Sequence, residues 1–371
     1  MIQAQTLINQ IENLAPLSIK ESSDPSGLQI GNPEKMIQKV LVTLDVRPEV
    51  VQEAIDQKVD FIFAHHPVMF RPAKNLDTRD PQNKMYADLL KHDIVVYAAH
   101  TNLDKAVGGM NDWMAQGLRL QNIQPLPSGT PIYCYKLVVF TPLDNAAAMR
   151  SALGNAGAGE LGDYQQASYT VAGQGRFLPG TGAHPAIGAS GQLTTTQESR
   201  IEVIVPSYRL NQVVEAMLAV HPYEEPAYDL IPLKNTEPSI SLGRIGTLSQ
   251  PLSVLDFAQQ IKKDFNLTGL RIVSHDRQQL IQKVAVIAGD GGKFYPDALK
   301  AGAQVLVTGD IYYHTAHDML ANGLQAIDPG HHTESIIKTK MTAQIQQWAQ
   351  VNDWDLAVQP SELSTEPFYF I

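Results

Sequence analysis

The sequence predicts an α/β protein in which two similar halves flank a central segment of a different, α+β type. Short apolar strands alternate with amphipathic helices in the first and last parts of the 371-residue chain, as in parallel sheets covered by helices. The order of elements around residues 38–104 recurs around 282–334, which suggests a distant internal duplication. We therefore expect an N-terminal half over residues 1–128, an inserted domain over 129–236 and a C-terminal half over 237–371.

The N-terminal half begins with a short amphipathic helix that ends before Pro16. The apolar face of this helix consists of Leu7, Ile8, Ile11 and Leu14. Val40–Leu44 follows as a strand, and Pro48 suits the first turn of the next helix. The remaining elements are predicted as a strand at 61–64, a helix at 85–91, a strand at 94–99 and a helix around Trp113.

The C-terminal half repeats this alternation of strands and helices. An amphipathic helix near 252–261 and a strand at 270–273 come first. The repeated part then has strands at 282–288, 305–310 and 324–327, separated by helices at 296–301 and around 314–317. A final helix at 336–348 and a closing strand at 352–358 complete the half.

The central segment, about 131–233, has the order strand, helix, strand, strand, helix, strand, which is typical of a ferredoxin-like domain. Its predicted elements lie at 136–140, 145–156, 168–171, 198–205, 210–220 and 227–233. Its glycine-rich run, 157–182, matches no nucleotide-binding fingerprint, so a turn-rich hairpin is favoured over a phosphate cradle. His221 stands alone before a proline, and we interpret it as structural.

Composition and charge exclude several classes of protein. A net charge of −10 without a basic run argues against binding to nucleic acid. No apolar run is long enough for a membrane span, and the N-terminal residues do not resemble a signal peptide. The single cysteine, Cys134, leaves no intramolecular disulfide or thiolate cluster. We expect a cytoplasmic protein whose metal site, if it has one, uses nitrogen and oxygen ligands.

Histidines and carboxylates collect after the predicted strands, where ligands bind in open parallel sheets. Seven of the eleven histidines occupy such positions, namely His65, His66, His100, His314, His317, His331 and His332. His331 and Glu334 are spaced to share one helix face, and Asp104 falls in the equivalent slot of the first half. Three histidines and two carboxylates suit a pair of divalent cations such as zinc, iron or manganese. The alternative is that these residues are helix caps and solvated turn histidines.

Four segments together resemble the GTP cyclohydrolase I type II homologue family, the Nif-three-like di-metal proteins. They are Ala64–Pro67, His100–Asp104, Thr308–His314 and Gly330–Glu334, in the family's order. The resemblance implies that His65, His66, Asp104, His331 and Glu334 bind two divalent metal ions per chain. It also implies a toroidal homohexamer with these sites facing an inner cavity. One departure is the segment 23–27, where relatives carry an aromatic residue before the Gly-Leu-Gln motif.

The segment 218–226 resembles the inserted domain of the longer family members, a relative of the PII-like and CutA-like trimeric folds. We expect this domain to cover or gate the cavity, or to support assembly.

Two functional hypotheses follow from these features. The first is a metal-dependent hydrolase, cyclohydrolase-like or phosphoesterase-like, of an unidentified small polar or anionic substrate, a class that includes nucleotides. Asp310 or His314 could orient ligands or relay a proton in such an enzyme. The second is a non-catalytic hexameric scaffold that binds or senses metal. The residues select neither the metal nor the substrate, and no set of them dictates guanine recognition.

Overall fold

The computed structural model describes residues 1–127, 132–237 and 240–371. The described residues at the two ends of the chain, 1–127 and 240–371, form one compact unit, and 132–237 form a second. The predicted boundary between residues 128 and 129 lies outside the described residues. Within the described ranges no helix combines the length and the apolar character that a membrane span requires.

The N-terminal part of the first unit alternates strands and helices as the sequence predicts. Its strands are β1 (Ile2–Gln3), β2 (Gly27–Ile30), β3 (Met36–Ile37), β4 (Lys39–Thr43), β5 (Phe61–Ala64), β6 (Val95–Ala98) and β7 (Gln121–Pro125). Its helices are α1 (Ala4–Leu14), α2 (Pro48–Asp56), α3 (Pro81–Lys91), α4 (Thr101–Lys105) and α5 (Met110–Gly117). The α3 helix begins at Pro81, earlier than predicted, because the Asp80 side chain caps it by accepting hydrogen bonds from the Gln82 and Asn83 amides.

The second unit contains four strands and two α-helices in its described residues. The strands are β8 (Ile132–Pro142), β9 (Tyr169–Phe177), β10 (Thr194–Pro206) and β11 (Tyr228–Glu237). The helices are α6 (Ala146–Asn155) and α7 (Leu210–Val220). The strands form one antiparallel sheet in the order β11-β8-β10-β9. Residues of α6 and α7 share a core with alternate residues of β8 and β10, which leaves the other face of the sheet without helices.

The C-terminal part of the first unit supplies the remaining elements. Its strands are β12 (Gly243–Ser253), β13 (Arg271–Val273), β14 (Leu280–Asp290), β15 (Val305–Gly309), β16 (Gln325–Asp328) and β17 (Ala357–Pro360). Its helices are α8 (Val254–Asp264), α9 (Tyr295–Lys300), α10 (Tyr313–Ala321) and α11 (Ile336–Val351). The closing strand begins later than predicted because α11 runs to Val351.

Two mixed sheets organise the first unit. One has the order β17-β4-β5-β6-β2, and the other has the order β13-β16-β15-β14-β12-β7. The neighbours β4, β5 and β6 are parallel, as are β14, β15 and β16, whereas β2, β12 and β13 pair antiparallel. The predicted parallel sheets are therefore only the centres of mixed sheets. The C-terminal strand β17 joins the first sheet and β7 joins the second, so each sheet contains an edge strand from the other end of the chain.

Buried central strands explain why the site residues are held in place. All four residues of β5 are buried, as are all four of β6 and of β16. The first two strands are almost entirely apolar, as is typical of strands covered by helices on both sides, whereas β16 also buries Gln325 and Asp328. The mixed α/β fold that the sequence predicts is confirmed.

Candidate metal centre

The carboxyl ends of β5, β6 and β16 bring five histidine and acidic side chains into one cluster, which we call the His–carboxylate cluster. It consists of His65, His66, Asp104, His331 and Glu334. His65 and His66 follow β5 directly, and Asp104 lies in α4, one short helix beyond β6. His331 and Glu334 lie in a 3₁₀ turn, His331–Ser335, between β16 and α11. The chain therefore gathers residues separated by more than 200 positions.

Glu334 is the centre of the cluster. One of its carboxylate oxygens, Oε2, lies 3.0 Å from His66 Nε2 and 3.2 Å from His331 Nε2. The other, Oε1, lies 3.7 Å from His65 Nε2. Asp104 Oδ1 is 3.5 Å from the same His65 nitrogen. Since Glu334 is buried at the N-terminal end of α11, the helix dipole also favours its negative charge.

Each histidine of the cluster is oriented by a partner on its outer nitrogen. Nδ1–H of His65 donates to the carbonyl oxygen of Ala99 at 2.8 Å. The same nitrogen of His66 donates to Asp45 at 2.7 Å, and that of His331 donates to Asp310 at 2.6 Å. In each case the Nε2 atom is left to face the cluster. Metal-binding histidines in proteins are held in this way by carbonyl or carboxylate groups.

His100 extends the cluster, although the sequence analysis did not place it among the ligands. Its Nδ1–H donates to Asp24 at 3.0 Å, and its ring centroid is 5.3 Å from that of His65. Asp24 lies in the segment 23–27 that departs from the family pattern, and it also accepts hydrogen bonds from Ser26 and the Thr101 amide. The position of His100 directly after a predicted strand was the signal in the sequence that it could belong to the site. Its hydrogen-bond partner, Asp24, could not be identified from sequence spacing.

Two buried polar atoms of the cluster, His65 Nε2 and Asp104 Oδ1, have no hydrogen-bond partner among the residues that the structure describes. Such atoms are costly in a protein interior unless a ligand or ion satisfies them. Three overlapping groups of donor atoms lie within 4.8 Å of one another and could hold a metal ion. They are His65, Asp104 and Glu334; His66, His331 and Glu334; and His65, His66 and His100. Imidazole and carboxylate donors are those that zinc, iron and manganese accept.

Ionisation within the cluster follows from burial and mutual contact. Burial opposes ionisation of Glu334, but the hydrogen bonds from His331 and His66 and the nearby ring of His65, 3.7 Å away, dominate and hold the pKa of Glu334 well below the ordinary value. Burial, followed by the nearby charge of Glu334, raises the pKa of Asp104. Burial disfavours the charged form of His66, yet its bonds to Asp45 and Glu334 raise its pKa to about 10. The hydrogen bond to Glu334 raises the pKa of His331 to about 9. Cation binding must therefore compete with protons.

The backbone beside the cluster adopts conformations that few residues allow. Gly289 has φ +60°, and a Cβ atom there would lie 2.8 Å from Glu334 Oε1, so a side chain is excluded by both conformation and space. Asp310 has φ +52°, a left-handed conformation that aspartate tolerates better than most residues. This conformation accompanies the contact of its carboxylate with His331.

Three of the histidines that follow predicted strands lie outside the cluster, namely His314, His317 and His332. His314 and His317 are exposed on α10, where both stack against Tyr313, and neither belongs to a metal-binding group among the described residues. His314 belongs to none of the donor groups found among the described residues, whereas the Asp310 carboxylate accepts a hydrogen bond from His331 Nδ1–H.

A cavity of about 780 Å³ opens beside the cluster, lined by His66 and His331. Its wall includes Arg47, an exposed arginine for which the described part of the chain offers no ion-pair partner, and Arg271, which pairs with Asp328. Exposed aromatic side chains complete the mouth, namely Tyr312, Tyr313 and Phe368. The cavity can thus receive a molecule with both an anionic and a flat apolar part.

The fold and the cluster define a class of protein, a mixed α/β protein whose buried histidines and carboxylates could hold metal ions. Comparison with known sequences gives the family: the sequence profile of Duf34/NIF3 (NGG1p interacting factor 3) matches residues 2–367. The chain belongs to the Duf34/NIF3 family, which confirms the resemblance stated above.

Relatives and solved structures agree over the whole length. A protein of Halalkalibacterium halodurans named GTP cyclohydrolase 1 type 2 homolog is 43% identical over 367 residues, 99% of this chain and 98% of that protein. A Bacillus subtilis protein of the same name is 40% identical over 370 residues, covering 100% of this chain and 99% of its own. The crystal structure of a Bacillus cereus protein related to NIF3 gives a TM-score of 0.85 at 39% identity, with coverage of 100% and 99%.

Proposed function

We propose that this protein binds two divalent cations per chain and hydrolyses a small polar or anionic substrate. The five ligands are His65, His66, Asp104, His331 and Glu334, with zinc, iron or manganese as the expected ions. His100 is a further candidate through its contact with His65. The relatives are named as homologs of a cyclohydrolase, and cyclohydrolases catalyse hydrolysis, which is consistent with this proposal.

The observation that carries the proposal is the pair of unpartnered buried atoms, His65 Nε2 and Asp104 Oδ1, 3.5 Å apart. Protein groups alone leave both unsatisfied, while a cation would satisfy the lone pair of each. Glu334 belongs to two of the donor groups, as expected for a carboxylate that bridges two ions. The donor set thus fits a di-metal centre of nitrogen and oxygen ligands.

When bound, two cations would supply Lewis acidity and a water of lowered pKa at this position. The chain's own residues prepare the site for that chemistry. Ala99, Asp45 and Asp310 fix the tautomer and direction of the three ligand histidines. Burial of Asp104 and Glu334 excludes water from the inner side of the cluster, so an incoming substrate approaches through the cavity lined by His66 and His331.

The cavity supports an anionic substrate with a planar group. Arg47 is exposed and without an ion-pair partner among the described residues, so its guanidinium is free to bind a phosphate or carboxylate. The exposed rings of Tyr312 and Phe368 can stack on a planar group. Nucleotides combine these two features, and they are the first substrates to examine.

The test is turnover of a panel of phosphoesters and nucleotides by metal-loaded protein. We expect hydrolysis that disappears in His65→Ala and Glu334→Ala together with the bound metal. Arg47→Ala should retain its metal and raise KM about tenfold, since one charge-assisted hydrogen bond is lost. Arg277→Ala, an exposed arginine outside the cavity lining, is the control. Full metal content without turnover of any panel member would favour the alternative, a non-catalytic scaffold that binds or senses metal.

We further propose that the second unit is an inserted ferredoxin-like domain, within the division 1–128, 129–236 and 237–371. The strand order β11-β8-β10-β9, with α6 and α7 on one face, supports the assignment because it is the arrangement of a split β-α-β unit. Expression of residues 129–236 alone should give a folded, monodisperse domain by circular dichroism and gel filtration. An unfolded product would argue against an independent domain.

A toroidal homohexamer in the cytoplasm completes the proposal. The C-terminal residues Tyr369, Phe370 and Ile371 are exposed in the single chain, and such apolar surface is normally covered by a partner. Analytical ultracentrifugation should give a mass close to six times 40.7 kDa. A monomer at micromolar concentration would contradict the assembly.

A further inference from the structure

A second cavity, of about 970 Å³, lies in the second unit and contains no residue of the His–carboxylate cluster. It is lined by two segments to which the sequence analysis assigned no ligand, the glycine-rich run around Gly173–Gly182 and the motif around Tyr223–Glu225. Its size is that of a pocket for a small molecule. The chemistry of its walls indicates what it would bind.

Glu198 is the principal polar group of this cavity. It lies on β10, and because side chains alternate along a strand, it points to the face opposite the core residue Ile201 and the helices. Its side chain is nevertheless buried, with a relative exposure of 8% for the residue. Tyr223 donates a hydrogen bond to Glu198 Oε1 at 2.8 Å, while burial and the Glu198 carboxylate raise the pKa of Tyr223 to about 12. The tyrosine therefore stays protonated, and its hydroxyl group orients the Glu198 carboxylate.

Two glycines make the space around this carboxylate. Gly173 is the direct cross-strand partner of Glu198, so the two residues share one face of the sheet. A Cβ atom at Gly173 would meet nothing within 4 Å, whereas one at Gly175 would lie 2.2 Å from Glu198 Oε2. Any side chain at Gly175 would displace the carboxylate, and any side chain at Gly173 would project into the cavity beside it.

The remaining walls are largely apolar and aromatic. Phe177 lies 6.1 Å from the ring of Tyr223, and Phe140, Val171 and Ile187 also line the cavity. The loop after β9 is tied to the opposite wall, because the His184 amide donates to Glu224 at 2.8 Å. The carboxylate thus stands among rings in a partly enclosed space, an environment that favours a cation over a neutral molecule.

The charges of the wall agree with this preference. Three carboxylates line the cavity, those of Glu198, Glu224 and Glu225, against the guanidinium groups of Arg176 and Arg200. Arg200 is paired with Glu202 outside the cavity lining, at 3.0 Å. The unbalanced charge of the cavity is therefore negative.

We propose that this cavity binds a small organic cation, an ammonium or guanidinium group carried on an apolar or aromatic body, with Glu198 as its counter-ion. The cationic head donates to the carboxylate between Gly173 and Gly175, and the body packs against Phe177 and Tyr223. The site is separate from the proposed hydrolytic centre and does not depend on it.

The experiment uses the full-length, metal-loaded chain and three probes that share a phenylethyl body and carry a positive, a neutral or a negative polar group. They are 2-phenylethylamine, the neutral 2-phenylethanol and the anionic 3-phenylpropionate, each titrated by calorimetry. We expect the amine to bind about 10- to 100-fold more tightly than the alcohol, because a charge-assisted hydrogen bond to a buried carboxylate distinguishes them. Equal binding of amine and alcohol, or binding of neither, would overturn the proposal. Tighter binding of the acid would also overturn it and would point to Arg176.

Two substitutions locate the site by independent means. Glu198→Gln keeps the shape of the side chain and removes its charge, so the preference for amine over alcohol should vanish. Gly173→Val leaves the carboxylate intact and places two methyl groups in the open space beside it, where the cationic head would bind. Valine suits an extended strand, so the amine should lose binding. Glu215→Gln, exposed on α7 on the other side of the sheet, is the control and should bind as wild type. Unchanged amine binding in Gly173→Val would refute the location even if Glu198→Gln failed to fold.

Discussion

Replacement of Asp104 by asparagine should have opposite effects on metal content and on the stability of the metal-free chain. Asp104 is buried, its Oδ1 atom has no hydrogen-bond partner, and the Glu334 carboxylate lies in the same donor group. Without metal, this carboxylate is an unfavourable buried group, which is why its pKa is raised by burial and by Glu334. With metal, it is one of the proposed ligands. Asparagine removes the charge in both states.

The magnitudes follow from these contacts. Loss of one of three donors in the group of His65, Asp104 and Glu334 should reduce bound metal from two ions to about one per chain. Relief of the buried charge should raise the free energy of unfolding of the metal-free chain by about 1–2 kcal/mol, or its Tm by about 2–6 °C. A raised pKa means that Asp104 destabilises the fold only above its ordinary pKa. The advantage of the variant should therefore be absent near pH 4 and grow as the pH rises towards the raised pKa.

The assay combines metal analysis of purified protein with calorimetric unfolding of chelator-stripped samples across this pH range. The transition to follow is the one that metal addition shifts in wild type. Asp318→Asn, an exposed carboxylate on α10, serves as the control. Two ions per chain in Asp104→Asn, or a lower Tm than wild type in the stripped protein, would refute the reasoning.

Three further predictions concern the same cluster. Glu334→Gln should lose both ions, since Glu334 belongs to both carboxylate-containing groups; metal analysis that finds one ion retained would exclude a bridging role. Asp310→Gly should keep the fold, because glycine accepts φ +52°. It should lower the metal affinity about 10- to 100-fold in a chelator competition titration, since His331 loses its hydrogen-bond partner. An unchanged affinity would contradict this prediction. The pKa of His66 is raised to about 10, that of His331 to about 9 and that of Asp104 to about 8. All three ligands are therefore protonated at pH 7, so metal binding at this pH should release about three protons. Calorimetry in two buffers of different ionisation enthalpy measures this release, and identical heats would count against it.

The local pattern of apolar and polar residues was sufficient to predict several helices and strands of the structure. Apolar runs such as Phe61–Ala64 form buried strands, and Pro48 begins a helix, because these signals act within a few residues of the chain. The position of polar residues after parallel strands brings His65, His66, His331, Asp104 and Glu334 into one cluster in the structure, as the general geometry of such sheets requires.

The pairing of strands that are distant in sequence could not be predicted from local sequence patterns. Edge strands β17 and β7 each join the sheet of the other half, since nothing in a short strand specifies which distant edge it will pair with. The helix α4 was not predicted, because its five residues are too short to show a helical period.

The sequence by itself determined the family, the order of elements and the set of residues that meet at the cluster. Only the tertiary structure decided which atoms contact one another: Glu334 between three histidines, Asp24 on His100, and Glu198 beside Gly173 and Gly175. The physical reason is that composition and spacing act along the chain, whereas hydrogen bonds and buried charges depend on distances between segments that are remote in sequence.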